Sequence, residues 1–214
     1  MNNELFIRIL SSIFLLALVF FFIIKGSIFF NFFIIIMMLI AAYEWHFLSL
    51  RKDYYIPGFI FIIFSFYTFY FFRNESDYLL FLVILTTCIA TDVGGYVFGK
   101  ILKGPKLTKI SPNKTYAGMF GGFVFSVITV YLFFNNLSFF RLAKNQQELE
   151  INIIFFVLIT SLISQIGDLI ISNFKRQSNV KNTGKIIPGH GGLLDRIDGM
   201  IFAFPFMFFL INFL

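Results

Sequence analysis

Charged residues are scarce in this chain. Only 13% of its 214 residues are Asp, Glu, Lys or Arg, whereas soluble domains carry about 25%. Hydrophobic residues make up 58%, and the mean hydropathy is +0.86. So little charge cannot cover the surface of a water-soluble domain of this size. The composition therefore predicts an integral membrane protein without a separate soluble domain.

The residues that build disulfides and zinc sites are also nearly absent. Cys88 is the single cysteine, which excludes a disulfide within the chain, and its apolar neighbours predict a buried thiol. One cysteine and two histidines cannot supply the four ligands of a structural zinc site. Neither GxxxxGK[ST] nor GxGxxG occurs, so the sequence indicates no soluble nucleotide-binding fold.

Long apolar runs separated by short polar segments predict an all-α fold with about seven transmembrane helices, within a range of about six to eight. The predicted spans are Leu5–Ile24, Phe29–Leu50, Tyr54–Phe72, Tyr78–Gly99, Tyr116–Phe134, Ile151–Ile171 and Met200–Leu214. The first has an apolar core too long for a signal peptide, and no small-x-small cleavage site follows it. We expect one membrane domain over 1–214, with N-terminal spans in 1–77 and the spans and loops that carry the candidate site in 78–214.

The basic residues predict how these spans are oriented. With the N-terminus in the cytoplasm, 13 of the 17 Lys and Arg residues fall in inner segments, as the positive-inside rule requires. Cations grouped in loops between spans favour this topological explanation over nucleic-acid binding. The same orientation places two polar stretches, 100–114 and 172–198, on the cytoplasmic face.

The stretch Ser172–Asp198 is the densest polar segment of the chain. Asp195 and Asp198 are three residues apart, which on a helix places both carboxylates on one face. They could hold Mg²⁺, or they could form only a solvated helix start. Gly191 and Gly192 allow backbone N–H groups to approach phosphate, with a flexible turn beside anionic lipid as the alternative. The cations of the stretch are Lys175, Arg176, Lys181, Lys185 and Arg196.

Two carboxylates lie inside apolar spans close to this face. Asp92, followed by Gly94 and Gly95, interrupts the end of the fourth span, and Asp168 lies near the end of the sixth. Ionisable groups within a span are costly, which favours a functional role over a structural ion pair. Glu44 has a similar position, but beside Trp45 it is more typical of an anchor at the membrane interface.

The earlier polar loop has related chemistry. Pro112 stiffens a turn, and Lys114 with the hydroxyls of Ser111 and Thr115 are ligands of the kind that bind phosphate. The pattern is weak alone and gains weight if it faces the main stretch. A divalent metal, a polyphosphate and a membrane-resident substrate are then the economical interpretation, because phosphoryl or nucleotidyl transfer requires mainly positioning and charge neutralisation.

The arrangement of these residues resembles the signature of the phosphatidate cytidylyltransferase (CDP-diacylglycerol synthase) family. The matching positions are Ser172, Phe174, Lys175, Arg176, Lys181, Gly184, Ile187, Pro188, His190, Gly191, Gly192, Asp195, Arg196, Ile197 and Asp198. A second block matches at Asp92, Gly94, Gly95, Tyr96, Gly99, Ser111, Pro112, Lys114, Thr115 and Gly118. A weaker block is similar over Ala41–Trp45. Asn182 and Ala117 stand where the family usually has Asp and Glu.

The resemblance implies an enzyme of the bacterial inner membrane with its active site facing the cytoplasm. Its substrates would be CTP and phosphatidic acid, its cofactor Mg²⁺, and its products CDP-diacylglycerol and pyrophosphate, formed by in-line attack of the lipid phosphate on the α-phosphorus. We also expect contact with membrane lipid, no nucleic-acid partner and pairing as a homodimer. The alternatives are a CTP-dependent polyprenol kinase, an ion or phosphate transporter, and an inactive scaffold.

The resemblance also implies roles for individual side chains. Asp168 and Asp195 are the first expected metal ligands, followed by Asp198 and Asp92. The expected phosphate-neutralising cations are Lys175, Arg176, Lys181 and Arg196. Lys114 and Ser111 are expected to hold the lipid or the triphosphate, and His190 to orient a group rather than transfer a proton. The remaining residues expected at the substrate site are Thr115, Ser172, Gly191 and Gly192.

Overall fold

The computed structural model describes residues 17–76, 78–108, 110–135, 146–187 and 191–213. Their helices are α1 (17–25), α2 (Ser27–Ser49), α3 (Tyr55–Asn74), α4 (Tyr78–Leu102), α5 (Tyr116–Asn135), α6 (Gln146–Gln177), α7 (Leu194–Ile197) and α8 (Met200–Phe213). Apart from two isolated bridges, Lys106–Thr115 and Ile187–Gly191, these ranges contain no β-structure. The all-α prediction is confirmed.

Five of the described helices are long and apolar enough to cross a bilayer, as expected of an integral membrane protein. They are Ser27–Ser49, Tyr55–Asn74, Tyr78–Leu102, Tyr116–Phe133 and Ile153–Gln177, and they correspond to the second to sixth predicted spans. The first predicted span lies largely outside the described residues. The last corresponds to α8, whose 14 residues reach about 21 Å, less than the hydrocarbon thickness of about 30 Å.

Helix α6 continues beyond Ile171, where the sequence predicts the sixth span to end, and stops at Gln177. The apolar run ends at Ile171, but the backbone hydrogen bonds of a helix do not depend on side-chain polarity. Lys175 and Arg176 therefore lie in the last turn of α6, where cations interact favourably with the terminal carbonyl groups. The first part of the polar stretch is consequently fixed to a long helix.

Glycines allow α4 and α5 to pack closely. Asp92 and the glycines that follow it interrupt the apolar run of the fourth span, but the helix continues through them. A Cβ on Gly94 would lie 2.7 Å from the carbonyl oxygen of Gly121, and one on Gly118 would lie 2.7 Å from that of Gly95. Small residues permit such close approach between membrane helices. This packing fixes both ends of the loop that joins α4 to α5.

Aromatic side chains of α3, α4 and α8 form the centre of the described core. Phe204 of α8 is fully buried, and its ring centroid lies 4.3 Å from that of Phe69 and 5.3 Å from that of Phe81. Met207, one turn further along α8, is also fully buried. One face of short α8 is therefore packed against α3, α4 and α6, which in turn fixes the position of Asp198 shortly before its first residue.

The break between α1 and α2 falls at Gly26, in the gap between the first two predicted spans. Gly26 has φ of +60°, a conformation that L side chains rarely adopt. Arg73 from the end of α3 donates hydrogen bonds from Nε and Nη2 to the carbonyl oxygen of Ile23, at 3.0 and 2.8 Å. Its guanidinium also lies 4.4 Å from the ring centroid of Tyr78. These contacts hold α1 against the ends of α3 and α4.

Candidate functional site

Asp195 is the most extensively bonded carboxylate of the polar stretch. Its Oδ1 accepts a hydrogen bond from Lys175 Nζ of α6 at 2.8 Å. Its Oδ2 accepts the backbone N–H groups of Thr183 at 2.9 Å and Gly192 at 3.0 Å. The side chain is 7% exposed. Asp195 therefore joins α6, the loop around residue 183 and the start of α7 into one unit.

Asp168 connects the two polar stretches that are separate in the sequence. It lies on α6 and forms an ion pair with Lys114, which belongs to the loop before α5. Its Oδ1 also accepts a hydrogen bond from the Ser172 hydroxyl at 3.3 Å. The side chains of the ion pair are 26% and 25% exposed. The pair is therefore open to a ligand.

Asp198 adds a second carboxyl group beside Asp168. It lies between α7 and α8, is 8% exposed, and accepts the N–H of Gly199 at 3.0 Å. Burial raises the pKa of Asp198 well above its usual range, and the charges of Asp168 and Asp92 raise this pKa further. Asp168 is therefore the acidic neighbour whose charge acts most strongly on Asp198. A cation at this point would relieve the repulsion among the three acidic groups.

The fit of these groups to a divalent metal differs between the predicted ligands. Within the part of the chain that the structure describes, no three His, Cys, Asp or Glu side chains form a preformed metal cluster. Asp168 and Asp198 offer paired oxygens, and Mg²⁺ is often held by one or two carboxylates plus substrate phosphates. Asp195 fits less well, because both of its oxygens already accept protein hydrogen bonds. The arrangement fits a divalent cation that binds together with a phosphate ligand.

The other predicted site residues are distributed around this centre. Arg176 is exposed, and its Nε donates to the carbonyl oxygen of Ile110 at 3.3 Å. Lys181 and Arg196 are also exposed. The Thr115 hydroxyl accepts the N–H of Gly118 at 3.1 Å and so supports the start of α5.

Two further predicted site residues, Ser111 and Gly191, form hydrogen bonds within their own turns. The backbone N–H of Ser111 donates to Thr108 Oγ1 at 3.2 Å, within a tight turn before α5. Gly191 has φ of +91°, and its N–H and carbonyl groups exchange hydrogen bonds with Ile187. His190 lies outside the described residues.

Glu44 belongs to this site, and the interface-anchor interpretation of the sequence is wrong for it. The side chain is 1% exposed, and its oxygens accept hydrogen bonds from Thr183, Leu193 and Leu194 at 2.8 to 2.9 Å. Trp45 is also buried and packs edge-on against Phe174, with ring centroids 5.2 Å apart. A single acidic residue in the apolar run of α2 was the sequence signal for this role.

A cavity of about 430 Å³ adjoins the polar cluster. Asp92, Asp195 and Arg196 line it together with side chains that are otherwise apolar. The apolar lining includes Val19, Ile23, Phe30, Phe33, Ile34, Met37, Phe66, Phe69, Phe81, Leu85 and Ile89. These residues come from α1, α2, α3 and α4, so the cavity extends from the charged groups along the membrane-spanning helices. Such a space suits a ligand with a charged head and an apolar tail.

These features define a helical integral membrane protein whose charged cluster adjoins an apolar cavity. A sequence model described as the cytidylyltransferase family matches residues 55–214. The chain belongs to this family.

Curated relatives agree with this assignment. The chain is 39% identical over 145 residues to the phosphatidate cytidylyltransferase of Staphylococcus haemolyticus (strain JCSC1435), covering 64% of this chain and 51% of the relative. It is 40% identical over 159 residues to that of Bacillus subtilis (strain 168), covering 71% and 55%. It is 39% identical over 145 residues to that of Staphylococcus aureus (strain COL), covering 67% and 52%. The chain thus spans about half the length of the curated relatives that it matches.

Proposed function

We propose that this chain transfers CMP from CTP to phosphatidic acid, giving CDP-diacylglycerol and pyrophosphate. The observation that carries the proposal is the junction between charged groups and an apolar cavity, where Asp92, Asp195 and Arg196 share a space with the apolar residues of α1–α4. A lipid phosphate requires this combination, because its head is anionic and its acyl chains are apolar. The family match and the names of the relatives support the same reaction.

The chemistry requires little covalent help from the protein. The lipid phosphate is anionic at neutral pH, so its oxygen can attack the α-phosphorus of CTP without a strong general base. The new bond joins that oxygen to the α-phosphorus, and the bond to the bridging oxygen of pyrophosphate breaks with its electron pair. Mg²⁺ held by Asp168, Asp198 and the triphosphate would offset the charge on the leaving group.

The cationic side chains hold the two anions in line. Lys175 is fixed by Asp195 at 2.8 Å, so its charge is already positioned before substrates bind. The Lys114–Asp168 ion pair is partly exposed. The Lys114 ammonium group can therefore leave Asp168 and pair with a phosphate group of a substrate. Arg196 lines the cavity and is therefore suited to the lipid phosphate.

The cytoplasmic orientation belongs to the same proposal. The exposed cations Arg176 and Lys181 would attract a soluble nucleotide to the mouth of the site. We place this face in the cytoplasm of a bacterial cell, where the positive-inside rule places most of the cations. An orienting role for His190 and pairing of two copies remain predictions.

Separately labelled CTP tests the proposed reaction. Detergent-purified protein is incubated with Mg²⁺, phosphatidic acid and CTP carrying the label at the α- or the γ-phosphate. We expect α-label in the lipid and release of pyrophosphate, with both strongly reduced in Asp168→Asn. Lys103→Gln, at the exposed end of the α4–α5 loop, is the control and should behave as wild type.

A parallel tube contains a polyprenol in place of phosphatidic acid. Transfer of γ-label to that alcohol, with release of CDP, would assign the protein to the lipid-alcohol kinases instead. Absence of transfer in both tubes would contradict the proposal, and Asn182→Asp and Ala117→Glu would then show whether these two departures from the family account for inactivity.

A further inference from the structure

Glu44 is a buried carboxylate whose hydrogen-bond partners among the described residues all lie in the polar stretch. Oε1 accepts the backbone N–H of Leu193 at 2.8 Å. Oε2 accepts the N–H of Leu194 at 2.9 Å and the hydroxyl of Thr183 at 2.8 Å. Both oxygens are therefore used, and the described donors are Thr183, Leu193 and Leu194. One side chain of α2 holds both ends of the segment that runs from Thr183 to Leu194.

Two glycines of the segment allow its backbone to lie directly against the Glu44 carboxylate. A Cβ on Gly192 would lie 2.5 Å from Glu44 Oε2, and one on Gly184 would lie 2.6 Å from Oε1. Real Cβ atoms do not approach oxygen so closely. The two glycines thus let the chain pass against Glu44, which gives them a role distinct from phosphate binding.

The same segment connects Glu44 to Asp195. Thr183 donates its hydroxyl to Glu44 and its backbone N–H to Asp195 Oδ2 at 2.9 Å. Gly192 donates its N–H to the same oxygen of Asp195 at 3.0 Å, while the next residue bonds to Glu44. Two short pieces of backbone therefore lie between the two carboxylates. A shift of the segment at Glu44 would displace Asp195 and with it Lys175.

We propose that Glu44 is a positioning residue for the proposed cytidylyl transfer, holding the backbone at residues 183–184 and 192–194 so that Asp195 and Lys175 keep their geometry. The kinetic part of this inference rests on the proposed function. The role requires a carboxylate and not only a side chain of that size. A glutamine would turn an NH₂ group towards the N–H of either Leu193 or Leu194, leaving that buried donor unpaired.

Glu44→Gln is the central test because it preserves size and removes the charge. We expect kcat for transfer from CTP to phosphatidic acid to fall by about 10–100-fold, as for other residues that orient catalytic groups. The fall in kcat should be larger than any change in KM. It should remain when kcat is calculated from the amount of folded protein recovered by gel filtration. Glu75→Gln, an exposed acid at the end of α3, is the matched control and should retain wild-type kcat.

Thr183 provides a second pair of variants should Glu44→Gln fail to fold. Thr183→Val removes the hydroxyl donor at nearly constant volume and should lower kcat. Thr183→Ser keeps the hydroxyl and should retain a kcat close to that of the wild type. Hydrogen exchange supplies a readout independent of activity, in which Glu44→Gln or Thr183→Val should speed exchange at the amides of Leu193 and Leu194.

The outcomes separate this inference from the proposed function. Wild-type kcat in Glu44→Gln, a loss that only follows the loss of folded protein, or equal kcat in the two Thr183 variants would overturn it. Wild-type protein that fails to label phosphatidic acid would instead refute the proposed function. Hydrogen exchange would then decide the positioning role alone, and unchanged protection of Leu193 and Leu194 would reject it.

Discussion

Lys114 and Asp168 form an ion pair between the loop before α5 and helix α6. The pair joins the two polar stretches, which are distant in the sequence. The side chains are 26% and 25% exposed, so the pair is partly buried but still accessible to an incoming anion. The contact is therefore suited to ligand binding.

The first prediction is that these two residues are coupled in function. Lys114→Gln and Asp168→Asn should each lower kcat/KM, and the double variant should lose less than the two single losses combined. A coupling free energy of about 0.5–3 kcal/mol is expected for residues in direct contact. A double-mutant cycle of kcat/KM values measures it. Lys106→Gln, an exposed cation of the same loop, is the control partner, and strict additivity of Lys114 and Asp168 would contradict the prediction.

The second prediction separates two carboxylates that are alike in the sequence. Asp198 is a close acidic neighbour of Asp168, and the backbone hydrogen bond that it accepts uses only Oδ1, whereas both oxygens of Asp195 bond to Lys175 and to backbone N–H groups. Asp198→Asn should therefore raise the Mg²⁺ concentration needed for half-maximal activity. Asp195→Asn should lower kcat while leaving that concentration unchanged. Activity measured across a Mg²⁺ titration checks both, and a larger shift for Asp195→Asn would reverse the assignment.

The sequence predicted the parts of this protein that depend on local patterns. Long apolar runs identified α2 to α6, and isolated carboxylates within them identified Asp92 and Asp168 as candidates. The extension of α6 through Lys175 was missed, because polarity ended the apolar run before the helix ended. The bonds from Thr183 and Leu193 to Glu44 join distant parts of the chain, and no spacing within one sequence indicates such contacts.

The third prediction concerns the close packing of α4 against α5. A Cβ on Gly94 would lie 2.6 Å from Phe125 Cβ and 2.7 Å from the carbonyl oxygen of Gly121, whereas one on Gly95 would meet only the Gly118 carbonyl oxygen, at 3.7 Å. Gly94→Ala should therefore destabilise the protein by about 1–3 kcal/mol through overpacking. Thermal unfolding in detergent measures the effect, with Gly95→Ala as the matched control. Equal melting temperatures for the two variants would show that the helices can separate at no cost.

The fourth prediction is that the apolar cavity receives an acyl chain of the lipid substrate. Met37 of α2 lines the cavity, whereas Leu39 on the same helix is 61% exposed on its outer surface. Met37→Trp should fill part of the cavity and cost long-chain phosphatidic acid about 1–3 kcal/mol of binding, as overpacking does in protein cores. Dioctanoyl phosphatidic acid should be affected less, because its shorter chains occupy less of the space. The ratio of kcat/KM for the long-chain and dioctanoyl substrates should therefore fall in Met37→Trp and stay at the wild-type value in Leu39→Trp. If both variants keep the wild-type ratio, the acyl chains lie outside this cavity, and its charged end serves the nucleotide alone.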